Sequence, residues 1–247
     1  MSMVMSSFFS APLPLLSSYC IVMINIHAVS CSLILNVLVV MAAALLISST
    51  FLTPIVAWAN SILKNVNIAN TPNRAVFDSA NGYTYVTNAD LGTVSVIDGS
   101  TNTVIKNIHV GSHPRGIAFD SDNSNLYVAN EGSYTVSVID GSTNTVIKNI
   151  AVGWSPLGVA FNPSNGNIYV ASGTVSVIDG STNTVIKDIP VGLQPSAVVF
   201  DSESGNIYVA NHYSNTVSVI DSSTNMVIDT IPVGEGQAAA ASVKMSS

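Results

Sequence analysis

Beyond Cys31 the chain has no cysteine, and its only other one is Cys20. Nothing after that point can depend on a disulfide or on a thiolate-bound metal. Charge is scarce as well: Asp, Glu, Lys and Arg make up 9% of the residues, 14 acids against 7 bases, for a formal net charge of −7. A nucleic-acid groove needs a clustered basic face. Here the bases are scattered along the chain, so nucleic acid is excluded as a partner. Between Met1 and Leu63 there is no Asp, Glu, Lys or Arg at all. Also missing are a nucleophile elbow, a Gly-rich phosphate loop and any assembly of Ser, His and Asp in a catalytic order. These absences argue against an enzyme and imply no cofactor.

What the chain does have is repetition. The stretch T-V-S-V-I-D-G-S-T-N-T-V-I-K runs from Thr135 to Lys148 and recurs letter for letter at 93–106 and 174–187. A fourth copy at 216–229 carries Ser222, Met226 and Asp229 in place of Gly, Thr and Lys. Its aspartates Asp98, Asp140, Asp179 and Asp221 are spaced 42, 39 and 42 residues apart. Self-similarity at such a period marks a repeat architecture and outranks the 247-residue length, which alone fits one large β domain or two small ones.

The uncharged N-terminus reads as an export segment. Leu33 to Ile47 is almost wholly apolar, and the apolar character resumes from Phe51 to Ala59. A run of about 20 such residues forms an apolar helix able to span a bilayer, which makes 33–57 a retained anchor. The alternative is a signal peptide cleaved after Ala59, where Ala57-Trp58-Ala59 meets the small-residue cleavage pattern and Met41 opens a leader of normal size, with an over-extended gene start before it. Residues 1–59 are expected to serve one of these ends. Both put the repeats outside the cytoplasm, at the cell surface or secreted.

From residue 60 to 234 the grammar is regular. A partial strand is expected at 62–68, then four units at 72–111, 114–153, 156–192 and 195–234, with 235–247 as a flexible tail. Each unit holds four short runs rich in Val, Ile, Thr and Tyr, seen in the second as Gly116 to Phe119, Leu126 to Ala129, Thr135 to Ile139 and Val146 to Ile150. Runs of this kind are strands. The segments between them, such as Asp120 to Asn125 and Asp140 to Asn144, are built from turn formers that supply Asx-turns and positive φ. Four antiparallel strands per roughly 40 residues is the make-up of a propeller blade rather than a solenoid coil. The expected fold is therefore all-β, a β-propeller of four-stranded antiparallel blades, with about four blades encoded and a partial ring. The third unit has lost three residues between its second and third strands, where Ser172-Gly173-Thr174 replaces a longer link, and the loss leaves every strand in register.

Tyr85-Val86-Thr87-Asn88, Tyr127-Val128-Ala129-Asn130 and Tyr208-Val209-Ala210-Asn211, each followed by V-S-V-I-D, resemble the YVTN family of β-propeller repeats of prokaryotic cell-surface and surface-layer proteins. The resemblance covers about 62–234. It implies an exported propeller, usually of about seven blades, used for binding or for surface assembly. Ser172 departs from the motif, where the family has asparagine, so that loop is expected to be altered.

In a propeller the loops entering the inner strands and those joining second to third strands converge on one face, where ligands usually bind. On that face the entry loops place Arg74, His113, Arg115, Trp154 and Gln194, and the other loops place Asp90, Glu131, Tyr134, His212 and Tyr213. These positions vary between units whose strands are nearly identical, as on the side of a repeat array that meets a partner; ordinary drift of solvent-exposed loops gives the same pattern. His109 and His113 have no third ligand near, and a calcium-loop match from Asp120 to Glu131 lacks the required glycine, so no metal is expected. Asp78, Asp120, Asn162 and Asp201, at the ends of the inner strands, form either a polar ring at a channel mouth or plain turn caps, the simpler reading. The function expected is a non-catalytic module that binds a protein or an envelope polysaccharide at the cell surface. A structural surface-layer subunit is the alternative, and a propeller lactonase or redox enzyme a more remote one, resting on fold analogy. An open arc would leave apolar blade faces exposed, so pairing into a homo-oligomer, such as two arcs in one eight-blade ring, is expected unless the chain is a slice of a longer array.

Overall fold

A computed structural model describes residues 65–68 and 71–234. The expected leader, its helix, the cleavage point after Ala59 and the tail at 235–247 lie outside the described residues. Of the partial strand expected at 62–68, residues 65–68 form no strand and 62–64 lie outside the described residues. No helix among the described residues is long and apolar enough to cross a membrane.

The β-rich runs become 16 strands in four separate four-stranded sheets. The first blade holds β1 (Pro72–Asp78), β2 (Tyr83–Asn88), β3 (Thr93–Asp98) and β4 (Thr103–His109); the second β5 (Pro114–Asp120), β6 (Asn125–Asn130), β7 (Thr135–Asp140) and β8 (Thr145–Ala151). The third holds β9 (Val159–Asn162), β10 (Asn167–Ala171), β11 (Val175–Asp179) and β12 (Thr184–Ile189), and the fourth β13 (Pro195–Phe200), β14 (Asn206–Asn211), β15 (Thr216–Asp221) and β16 (Met226–Pro232). Within each sheet the strands follow chain order and every neighbour is antiparallel. This is the blade arrangement that the spacing of turn residues predicts.

The turns show why those residues are there. Asp140 Oδ1 accepts from the backbone and hydroxyl of Ser142 and from the Thr143 N–H, and Asn144 closes the turn at φ 55°. Asparagine tolerates that left-handed geometry better than most side chains. The same turn recurs around Asp98, Asp179 and Asp221. In the third blade the three-residue loss gives a tight link, with the Ser172 N–H donating to the Thr174 carbonyl at 2.7 Å. Ser172 Oγ meets Ser176 Oγ at 2.9 Å, where in the other blades Asn88, Asn130 and Asn211 donate to Ser95, Ser137 and Ser218. Here the altered loop expected at Ser172 is seen.

Each outer strand carries a bulge opposite Val96–Ile97, Val138–Ile139, Val177–Ile178 or Val219–Ile220. The residue left unpaired is Ile105, Ile147, Ile186 or Ile228, and all four are exposed. Bulges and edge lysines discourage edge-to-edge pairing between sheets. Lys106, Lys148 and Lys187 follow the bulge directly, and Asp229 takes that place in the fourth blade.

The core lies between blades rather than within them. One cluster joins Tyr85, Val94 and Val96 of the first blade to Leu126 and Ile139 of the second, and two more join second to third and third to fourth. Hydrogen bonds repeat at each of these three joints. Tyr85, Tyr127 and Tyr169 donate their hydroxyls to Asn144, Asn183 and Asn225 Oδ1 of the next blade at 2.7, 2.7 and 2.8 Å. Asn81, Asn123 and Asn165 Nδ2 reach the carbonyls of Gly141, Gly180 and Ser222, and the three lysines reach those of Thr143, Thr182 and Thr224. The inner strands accordingly pack in series, β1 on β5, β5 on β9 and β9 on β13.

Candidate functional site

Register decides which loops share a face. Pro114 pairs with Asn130, Asn130 with Thr135 and Thr135 with Ala151, so the start of an inner strand, the second-to-third loop and the end of the outer strand lie at one end of the blade. All ten residues singled out in the sequence sit at or beside this end. The Asp-led turns occupy the other end.

The two arginines, the only ones in the chain, both line a central cavity of about 380 Å³ to which all four inner strands contribute. Arg74 occupies the register held by Gly116 and Gly158 in the next two blades. Those glycines are required by close approach: a Cβ on Gly116 would fall on the Leu157 carbonyl oxygen, and one on Gly158 would lie 2.9 Å from Ala197 Cα. The first inner strand carries a long cation at that register, and the Arg74 N–H donates to Thr87 Oγ1 of its own blade, whereas the Gly116 N–H donates to the Leu157 carbonyl of the next. Ile117, Leu157, Val159 and Val198 add aliphatic residues to the wall, and Asn73 and Ser196 add polar ones.

At this end of the blades the loops form two clusters, the first of which includes the cavity residue Arg115. In the first, Arg115 Nε donates to Glu131 Oε2 at 2.6 Å, with both side chains about one-third exposed, and Ser155 Oγ donates to Glu131 Oε1 at 3.3 Å. Beside them the rings of Tyr134 and Trp154 lie 5.6 Å apart at 43°. Trp154 is 78% exposed and Tyr134 48%. His113 anchors the loop through its carbonyl, which accepts from the Glu131 N–H, while Ser112 Oγ and His113 Nδ1 meet at 3.0 Å. In the second cluster His212 and Tyr213 have ring centroids 5.2 Å apart, and the His212 N–H donates to the Gln194 carbonyl. Tyr213 is 69% exposed. Asp90 is held through its backbone by Thr71 Oγ1, and its side chain bonds to neither cluster.

Positive φ at His113, Tyr134, Ser155 and Gln194 shows that these loops are tight turns rather than slack chain. Side chains held on such turns are presented with little conformational freedom to lose on binding. Three residues in these loops were missed in the sequence: Ser155, which fixes Glu131, and the exposed leucines Leu91 and Leu193. Leucine standing among turn formers was the available signal.

The opposite end carries the residues expected to be either a polar ring or plain turn caps. Asp78, Asp120, Asn162 and Asp201 each accept a backbone N–H two residues on, at 2.8 to 2.9 Å, which is the turn-capping role. Burial pushes the Asp120 carboxyl up from its ordinary value. Hydrogen bonds from Ser100, Ser142, Ser181 and Ser223 hold Asp98, Asp140, Asp179 and Asp221 below theirs. No group of three or more metal-ligating side chains occurs among the described residues.

The sequence profile described as Choice-of-anchor I domain matches residues 38–242. No curated protein matches the chain. Among solved structures, the hydrazine synthase of Kuenenia stuttgartiensis is similar with a TM-score of 0.62 and 23% identity, over 70% of this chain and 52% of that one. The Cps50 (Swd1) β-propeller domain of Myceliophteria thermophila is similar with a TM-score of 0.61 and 14% identity, over 71% and 59%. At these identities the likeness shows the propeller fold and nothing of the chemistry. The chain spans a little over half the length of either.

Proposed function

We propose, from the premise that the chain belongs to the Choice-of-anchor I domain family of cell-surface, β-propeller-like proteins, that it is a non-catalytic surface module binding an envelope polysaccharide or a protein. The observation that carries this reading is the grouping of Trp154, Tyr134 and Glu131, on tight loops, with Arg115 of β5 at one end of the blades. Exposed aromatic rings beside a fixed ion pair and two arginines are what a sugar or a protein anchor uses: rings to stack on, charges to orient. The wall of the central cavity supports a binding rather than a catalytic use. It is lined by aliphatic and small residues, two arginines, Asn73 and Ser196, with no carboxylate or imidazole among them. Within that family we read the units as YVTN-type repeats, since the tyrosine of that motif is the residue that joins each blade to the next.

The test is binding of the purified full chain to isolated envelope polysaccharide and to intact cells. Trp154→Ala, at a residue that packs little against the fold, should weaken binding by tenfold or more, the scale of an interface anchor. An unchanged affinity in both Trp154→Ala and Tyr213→Ala would remove this face from consideration. A purely structural surface-layer role is the second reading, favoured by the open ends of the blade series described next.

A further inference from the structure

The lock between blades is built three times, and one half of a fourth lies unused at each end of the series. Tyr208 is the equivalent of Tyr85, Tyr127 and Tyr169, and its hydroxyl has no hydrogen-bond partner among the described residues. Asn102 is the equivalent of the acceptors Asn144, Asn183 and Asn225. It holds the same left-handed geometry, φ 52°, and its Oδ1 accepts nothing among the described residues. The apolar partners are split in the same way. Phe77 is 58% exposed, whereas Phe119, Phe161 and Phe200 pack against the core of the preceding joint. At the other end Ile231 is 41% exposed, while Ile108, Ile150 and Ile189 are buried.

We infer that the fourth blade of one copy receives the first blade of a second copy, so that Tyr208 of each donates to Asn102 of the other. The occupant is a second copy because the chain carries both halves of a contact it already makes three times, and a surface that completes its own repeat needs no foreign template. The contact is head-to-tail, and such contacts make closed rings when the rotation fits. Two arcs of four blades total eight, within the range that propellers adopt.

The end faces are also trimmed. Thr84 stands where Leu126, Ile168 and Ile207 are fully buried, and Ala75 where Ile117, Val159 and Val198 stand. Ser204 replaces the joint asparagine and Asp229 the joint lysine. The contact between copies therefore keeps the tyrosine lock and the phenylalanine while losing two of the other hydrogen bonds and part of the apolar packing. That makes it weaker than a joint within the chain, and reversible.

Native mass spectrometry of the full chain across a dilution series tests this, because it counts chains whatever the state of the N-terminal segment. The expected result is a two-chain particle that dissociates on dilution. Phe77→Arg, at a residue already exposed in the single chain, should leave single chains with unchanged circular dichroism. Tyr208→Phe and Asn102→Gly, the latter keeping the positive φ, should each raise the dissociation constant roughly tenfold, since each removes a bond at both contacts. Single chains at every concentration would overturn the proposal. So would a multimer whose dissociation ignores all three substitutions.

Discussion

The Tyr127 hydroxyl donates to Asn183 Oδ1 across 2.7 Å, and Asn183 is also the residue that closes the β11–β12 turn at φ 55°. One side chain therefore serves two levels of structure. It tolerates the left-handed turn that sets the hairpin of the third blade, and it docks the second blade onto that hairpin. The pairs Tyr85 with Asn144 and Tyr169 with Asn225 couple turn to joint in the same way.

Tyr127→Phe should destabilise the fold by about 0.5–1.5 kcal/mol, the net range for a lost hydrogen bond whose partner, the half-buried Asn183, can still reach water. Tyr208→Phe, whose hydroxyl has no partner within the described chain, should leave the stability of the single chain nearly unchanged. Denaturant midpoints of the two variants decide this. Equal losses in both would mean that the hydroxyl is not what joins the blades.

The tyrosines also predict the response to alkali. Burial pushes the Tyr85 and Tyr127 phenols up to about 12 from an ordinary 10, against the lowering effect of hydrogen bonds from Asn81 and Asn123, and raises Tyr169 as well. A phenol that holds its proton more tightly when folded contributes stability that is complete below its unfolded pKa and is lost as pH rises through the folded one. Melting temperature should therefore fall between pH 10 and 12. Tyr127→Phe should flatten that fall; an identical pH profile would count against it.

In acid the turn aspartates act with the opposite sign. Ser142 holds Asp140 below the usual value of 3.8, and Ser181 does the same for Asp179. Their contribution is present above the unfolded pKa and disappears as pH falls through the folded one. Asp120 runs the other way, raised by burial, so its charge costs stability at neutral pH. Asp120→Asn should be neutral or stabilising at neutral pH, since Asn162 already fills the equivalent place and caps its turn at 2.8 Å. In thermal melts Asp140→Ala should lower the melting temperature while Asp120→Asn leaves it unchanged or raises it; a clear loss in Asp120→Asn would count against the burial argument.

Gly116→Ala should destabilise by about 1–3 kcal/mol, as overpacking between fixed backbones does. Its Cβ would fall on the Leu157 carbonyl oxygen, the acceptor of the Gly116 N–H, and neither strand can withdraw without opening the joint. Gly166→Ala, where nothing lies within 4 Å of the added Cβ, isolates the cost of a positive φ from that of contact. A Gly116→Ala loss no larger than that of Gly166→Ala would refute the close-approach argument.

Much of the fold could be read before any coordinates because each local signal repeats. Asp-Gly-Ser-Thr-Asn marks a turn four times over with one worn copy, and runs of Val, Ile and Tyr between such turns have only one consistent strand pairing. Less of the candidate site was legible. The positions of Trp154 and Tyr134 on one face follow from strand order, but their 5.6 Å approach depends on how the second and third blades dock. The Arg115 and Glu131 ion pair could not be foreseen either, since it links an inner strand to a loop 16 residues away.

The amino-acid order by itself determined the repeat, the blade, the face on which variable loops gather and the turn-capping role of the aspartates, because each follows from contacts within a few residues of chain or from strand alternation. Only the tertiary structure decided how blades are joined and where the series stops being joined. Tyr85 and Tyr208 hold the same strand position in closely similar motifs, Tyr-Val-Thr-Asn and Tyr-Val-Ala-Asn, yet one hydroxyl has Asn144 to meet and the other has no partner among the described residues. That difference lies in what stands beside the blade, 59 residues away along the chain in the case of Tyr85, and strand periodicity carries no information at that range.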